Sequence, residues 1–463
     1  MGVTDMRWFA EMKLCRIDAP AANGCYRLTL VRCEGAAPTE HPALFHVNTR
    51  PTCQARACAL LAACLLPLAA TAELPPVSGH LQLQSEPRQA NVRGPLAQAD
   101  ALQAGLVSLP ASRTSITAEL RSQGVYWAAT ATLQQQDSHG QPAQEHAWFN
   151  ELTFTTQALG WQLSVGKKIV AWDVGYAWRP NDVVQQEERR NLIAATAEGR
   201  PVLLAERFDT DRAWSLVWVN PSAKTSARGA AEPALAARLY LREGALDWHG
   251  FARWGAHTGS SLGLAAAWVA SDALELHASV RALQHADSRS QSVSADTLVS
   301  RNPWQDQQSA ATGQALVGAS YTNAQQVSLL AEAWWYGSTP SAAQWRAWSA
   351  RNQTLAKLPA QGAPASAVAA NLAWQAAALA DSGNLQRSNV YLRLSWEHEN
   401  WQPSLDLLYH PADGGQLWTA ALLWKGDRVR LQGGLRTSAG GSTTVFGQLP
   451  TSRQGYLSGT WLF

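Results

Sequence analysis

The sequence predicts an all-β fold: a transmembrane antiparallel up-and-down β-barrel of about 18 strands, with 16 the main alternative. Three observations predict it. Apolar residues recur at every second position over many short segments, the period of a strand rather than a helix. The segments come in pairs joined by short turns, and longer polar stretches separate the pairs, as in a barrel with short turns at one end and long loops at the other. The chain also finishes on a strand-like stretch, Arg453-Gln-Gly-Tyr-Leu-Ser-Gly-Thr-Trp-Leu-Phe463. There Tyr456, Ser458 and Thr460 share one face, and Leu457, Trp461 and Phe463 the other.

Composition bounds the answer. The chain has 463 residues and a formal net charge of +2, so no strongly basic region argues for nucleic acid. Hydrophobic residues make up 46% of it, yet mean hydropathy is -0.20. No uninterrupted apolar run after residue 72 has the length of a spanning helix. Apolar residues are spread thinly and regularly, which suits strands that face lipid on one side only. The six cysteines, Cys15, Cys25, Cys33, Cys53, Cys58 and Cys64, all precede residue 73. From Glu73 onward there is no disulfide framework, thiolate metal site or Cys nucleophile. Of 22 tryptophans only Trp8 lies before residue 73. Aromatic girdles at two membrane interfaces would use many of them.

Arg50 and Arg56 precede the apolar run Ala57-Cys-Ala-Leu-Leu-Ala-Ala-Cys-Leu-Leu-Pro-Leu68, followed by Ala70 and Ala72. This is a signal peptide over 47–72, with cleavage expected after Ala72. Leu61-Ala-Ala-Cys64 also matches a lipoprotein box, but the apolar run before it is short. Residues 1–46 read as neither leader nor domain. A start at Val47 removes them from the native product, leaving 73–463 as the barrel.

Hairpins then follow in order. Residues 113–120 turn at Gly124 into 125–133, and 146–155 turn at Leu159-Gly160 into 161–165. Residues 238–242 turn at Glu243-Gly244 into 246–254, and 262–268 turn at Ser271-Asp272 into 274–280. Residues 315–321 turn through Asn323 into 327–335, 390–396 turn at Asn400 into 405–409, and 418–424 turn at Gly426-Asp427 into 429–435. Gly, Asn and Asp supply the positive φ that tight hairpins need. His80–Gln84 supplies the first strand and Val202–Phe208 another. Two longer segments stand out. Gly166 to Arg190 is dense in charge, aromatics and amides, including Lys167, Lys168, Asp173, Arg179, Asp182, Arg189 and Arg190. It reads as a loop folded into the barrel as a constriction, or as a solvated loop with internal ion pairs. Segment 337–387 carries two short helices, 345–355 and an Ala-rich 366–379, that cover the mouth or drop inside it.

The closing stretch resembles the last strand of Gram-negative outer-membrane β-barrels. In that family a C-terminal aromatic with alternating apolar residues before it is read by the barrel-assembly machinery; Gly459 departs from the pattern. The resemblance assigns Tyr456, Trp461 and Phe463 to the assembly signal and places the chain in an outer membrane among lipid. On such strands, residues alternating with the lipid-facing ones point inward. Inward basic positions are then Arg121, Arg238, Arg242, Arg253, Arg281, Arg393, Lys425, Arg428, Arg430 and Arg436, with Arg428, Arg430 and Arg436 along one strand. Inward acidic ones are Glu119, Glu151, Glu275, Glu332, Glu397 and Asp406. Arginine ladders favour anions, whereas pairing with lumen carboxylates would merely brace the wall. Phosphate-loop, dinucleotide, zinc-protease and nucleophile-elbow motifs are all missing. The expected function is therefore a non-enzymatic channel, porin-like or an export conduit, for small polar or anionic solutes, with no cofactor or metal. The alternatives are a barrel scaffold that binds a partner through its loops and an outer-membrane barrel hydrolase.

Overall fold

The computed structural model describes residues 76–186, 197–380 and 384–463. The leader, its cleavage point, residues 1–46, and Arg189 and Arg190 lie outside the described residues. Eighteen long strands form a closed antiparallel barrel. In chain order they are β1 Val77–Glu86, β2 Arg113–Gln123, β3 Trp127–Ser138, β4 Gln144–Ala158, β5 Trp161–Lys168 and β6 Arg200–Phe208. Next come β7 Arg212–Val219, β8 Ala234–Glu243, β9 Leu246–Gly255, β10 Gly259–Ser271, β11 Leu274–Leu283 and β12 Thr312–Thr322. The last are β13 Val327–Tyr336, β14 Ser388–Trp396, β15 Trp401–His410, β16 Gly415–Lys425, β17 Val429–Ala439 and β18 Thr451–Leu462. Each strand pairs with its sequence neighbour, and β1 also pairs with β18, so no edge is left open. A short piece, Arg88–Ala90, carries β1 past Pro87 and still pairs with β18.

The turns explain the topology. Leu159 and Gly160 both take positive φ, 54° and 78°, as a two-residue hairpin turn requires for its twist to match the strands. Leu159 is 98% exposed, so nothing but the turn holds it there. The other end carries the long connections and three helices: α1 Pro95–Leu102, α2 Ala342–Leu355 and α3 Ala365–Ala380. Ser341 and Gln344 form a reciprocal capping box at the start of α2. Ala99, Leu355, Val368 and Leu372 pack together from the three helices. Trp345 and Trp348 of α2 pack with Phe446 against the inward Leu408 and Leu417, so the helices lie over that mouth. The helices within 337–387 were legible in sequence; α1 was not.

Two strand boundaries correct the sequence reading. Arg428 lies in the turn before β17, so it shares no strand with Arg430 and Arg436. Lys167 and Lys168 finish β5 and do not belong to the loop that follows. Lys167 is paired with Glu198, and Lys168 lies 3.7 Å from Glu206.

Candidate functional site

Residues 169–186 of the loop between β5 and β6 lie inside the barrel, and the wall beneath them explains why. Strands β6 to β10 turn Val202, Leu204, Val217, Val219, Ala236, Phe251 and Ala265 inward, where an open lumen would carry polar groups. Val170, Trp172, Val183 and Val184 of the loop cover this apolar patch. Val183 and Val184 are each 1% exposed. Burying a side chain of this size contributes about 1.5 kcal/mol or more, which offsets part of the entropy of ordering the segment. The sequence signal was the uninterrupted apolar run Leu216-Val-Trp-Val219, in which Leu216 and Trp218 face outward while Val217 and Val219 lie under the loop.

Polar anchors fix the loop on the adjoining wall. The Asn181 amide donates to the Ser279 hydroxyl at 2.8 Å and to the Val280 carbonyl at 3.0 Å. Asp173 accepts from the Asn181 N–H and from the Ser279 hydroxyl. Burial pushes the Asp173 carboxyl up, and the N–H groups of Asn181 and Val174 work against that rise. Glu332 of β13 accepts from the N–H groups of Tyr176 and Ala177, both at 2.7 Å. The Tyr176 hydroxyl donates to Glu275 at 2.7 Å. Burial, then that bond, push the phenol up to about 12. Arg281 donates to the Pro180 carbonyl at 3.2 Å, and Trp178 stacks on Trp334 with centroids 6.1 Å apart.

Beside the loop a cavity of about 1780 Å³ remains. Among the described residues, ten arginines border it: Arg88, Arg179, Arg200, Arg228, Arg253, Arg281, Arg289, Arg393, Arg436 and Arg453. Five carboxylates do so: Asp182, Glu198, Asp287, Asp306 and Asp406. Some of the ten are already matched. Arg393 lies 3.6 Å from Asp406, Arg289 lies 2.7 Å from Asp306, and Arg253 lies 2.9 Å from the buried Glu232.

The outer face is of the opposite character. Leu216, Leu262, Leu264, Leu435 and Leu457 are all more than half exposed. Trp214, Trp248, Trp268, Trp396, Trp401 and Trp461 stand exposed near the short-turn end, and Trp218, Trp254 and Trp335 near the other. No helix among the described residues is long and apolar enough to cross a membrane. A closed barrel with an apolar belt between two aromatic girdles satisfies every strand hydrogen bond internally, which lipid demands. The protein is a transmembrane β-barrel.

No family model matches this barrel, and no curated protein matches it. Solved structures similar to it include a triple mutant of Rhodopseudomonas blastica porin, at 12% identity and a TM-score of 0.39, covering 84% of this chain and 99% of that one. Pseudomonas aeruginosa OccK11 (OpdR) is similar at 10% identity and a TM-score of 0.46, covering 84% of this chain and 95% of that one. These likenesses are distant.

The residues singled out from sequence are distributed as follows. Arg253, Arg281, Arg393 and Arg436 border the cavity together with Arg179 and Asp182 of the loop, while Asp173 anchors that loop from beneath. Arg238 stands against the His249 ring nitrogen at 3.2 Å and over the Tyr240 ring. Arg121 is held by Glu119 at 2.7 Å. Arg242 sits at the Gly244 turn, Lys425 pairs with Glu397 at 2.8 Å, and Arg430 lies across from Lys425. None of these last residues borders the cavity, and neither does Arg428. Glu151 accepts from the Ile169 N–H where the loop begins. Tyr456 is buried on the lumen side and accepts from Gln432, whereas Trp461 and Phe463 are exposed on the outside with rings 5.2 Å apart. Sequence reasoning missed Arg88, Arg200, Arg228, Arg289 and Arg453, which lie at the loop-side ends of the barrel strands or beyond them, where the apolar alternation fades.

Proposed function

We propose that the protein is a channel for small anionic solutes, with the inserted loop as its constriction. The observation that carries this reading is the cavity beside the loop, bordered among the described residues by ten arginines against five carboxylates. Asp406 and Asp306 are each matched by an arginine, so the arginines left over set the sign of the field. In a lumen walled by low-dielectric protein, that field raises the local concentration of anions. Arg200 and Arg281 donate to neutral oxygens of Gln185 and Ser261, contacts that position a guanidinium without cancelling its charge.

The test is solute flux into liposomes carrying the purified barrel. Small anionic solutes should enter faster than cationic ones of the same size. Equal rates, or faster cations, would remove the anion assignment, and exclusion of every small solute would remove the channel itself.

A further inference from the structure

His277 on β11 and Glu332 on β13 are separated by strand β12, yet their side chains touch. Gly318 of β12 is the ladder partner of both. It leaves an inward notch across which His277 Nε2 meets Glu332 Oε1 at 2.9 Å, with both side chains 0% exposed. A Cβ on Gly318 would stand 2.2 Å from His277 Nε2 and 2.8 Å from Glu332 Cγ. Any residue but glycine closes the notch, which accounts for a glycine inside a strand. The same Glu332 carboxylate takes the Tyr176 and Ala177 N–H groups on its two oxygens. A second notch lies at Gly263 of β10, where a Cβ would stand 1.7 Å from Asn181 Oδ1. The loop is therefore seated at two points where the wall gives up a side chain.

We propose that the His277–Glu332 pair over Gly318 is the device that positions the Tyr176–Ala177 segment across the lumen and thereby sets the width of the pore. The width, though not the positioning, rests on the channel reading above. The barrel ladder is complete without this pair, because strands are joined through their backbones. What the pair adds is a buried carboxylate fixed by the imidazole with its remaining capacity aimed at two loop amides. Bonds to a charged acceptor are the stronger kind. Releasing the loop would leave that charge buried with only the imidazole as partner, so loop and pair stay together.

The test is amide hydrogen exchange of Tyr176 and Ala177 in detergent-solubilised protein, paired with single-channel recording. Glu332→Gln keeps the size of the side chain but turns one acceptor into a donor facing an N–H. It should speed exchange at the two amides about tenfold or more and enlarge the conductance step. His277→Leu should do the same, whereas His277→Gln, which still offers an N–H to Glu332, should stay near the parent protein. Gly318→Ala is expected to match Glu332→Gln, and heat-modifiable gel mobility shows whether each barrel is folded. Unchanged exchange in Glu332→Gln and His277→Leu would overturn the proposal and leave the channel reading intact. Faster exchange with an unchanged step would overturn the control of width. A parent protein with no steps would overturn the channel reading, and exchange alone would then decide the positioning role.

Discussion

Leu431 and Arg436 belong to one strand and face different media. Leu431 is 49% exposed on the outer face, while Arg436 borders the cavity and donates to Thr419 at 3.0 Å. Leu431→Arg should therefore cost about 2–4 kcal/mol if the site lies near the bilayer midplane and should reduce assembly. Arg436→Ser should leave assembly unchanged, because a lumen position exchanges one polar group for another. Urea titration and heat-modifiable mobility check both, and a harmless Leu431→Arg would mean the opposite register. This facing was legible in sequence because period 2 leaves only two choices for a whole strand. Strand ends were less legible. Arg428 continues the parity of Arg430 but falls in the turn, and Lys167 and Lys168 look like loop because charge is common in both. The side of a loop arginine such as Arg228 was not legible at all, since no alternation constrains it.

At the scale of elements, the inserted loop and its bed are the informative pair. The loop is held by apolar burial at Val183 and Val184 and by the bonds of Asn181, Asp173 and Glu332. The wall strands do not depend on it for their ladders. Val183→Asp should consequently expel the loop without unfolding the barrel, since an unpaired buried charge costs more than the segment contributes. Trp172, 5% exposed in its bed, should then shift its fluorescence to the red while gel mobility stays that of a folded barrel. A blue-shifted Trp172 in that variant would contradict the packing described here. In sequence the segment stood out for its charge and aromatics, but its destination depends on residues far along the chain, Ser279 and Glu332 among them. Gly263 and Gly318 were the available hints, because a glycine inside a strand marks a close approach. Helix α1 escaped notice for another reason. It is short, opens on Pro95, and packs through Ala99 on α3, so packing rather than propensity sustains it.

At the scale of the whole molecule, closure and charge decide the outcome. The barrel closes where Gly79 N–H meets the Phe463 carbonyl at 2.9 Å and Phe463 N–H meets the Gly79 carbonyl at 3.1 Å. Glu86 secures the same seam, accepting from Arg113 and Gln454, each at 2.8 Å. Deleting Phe463 removes both backbone bonds and an outward aromatic that we propose is read during assembly with Trp461. Yield of folded barrel in the membrane should fall, and an unchanged yield would count against that role.

An anion-selective lumen is tested by the reversal potential across a planar bilayer under a salt gradient. The parent protein should show discrete steps with a reversal potential on the anion side. Replacing Arg393 and Arg436 with Ser leaves Asp406 without its neighbouring charges and should move that potential toward the cation side. The shift should be larger at low salt, because screening confines each charge to about 8 Å at physiological ionic strength. A parent reversal potential on the cation side, or one that the double replacement leaves unmoved, would contradict an anion-selective lumen.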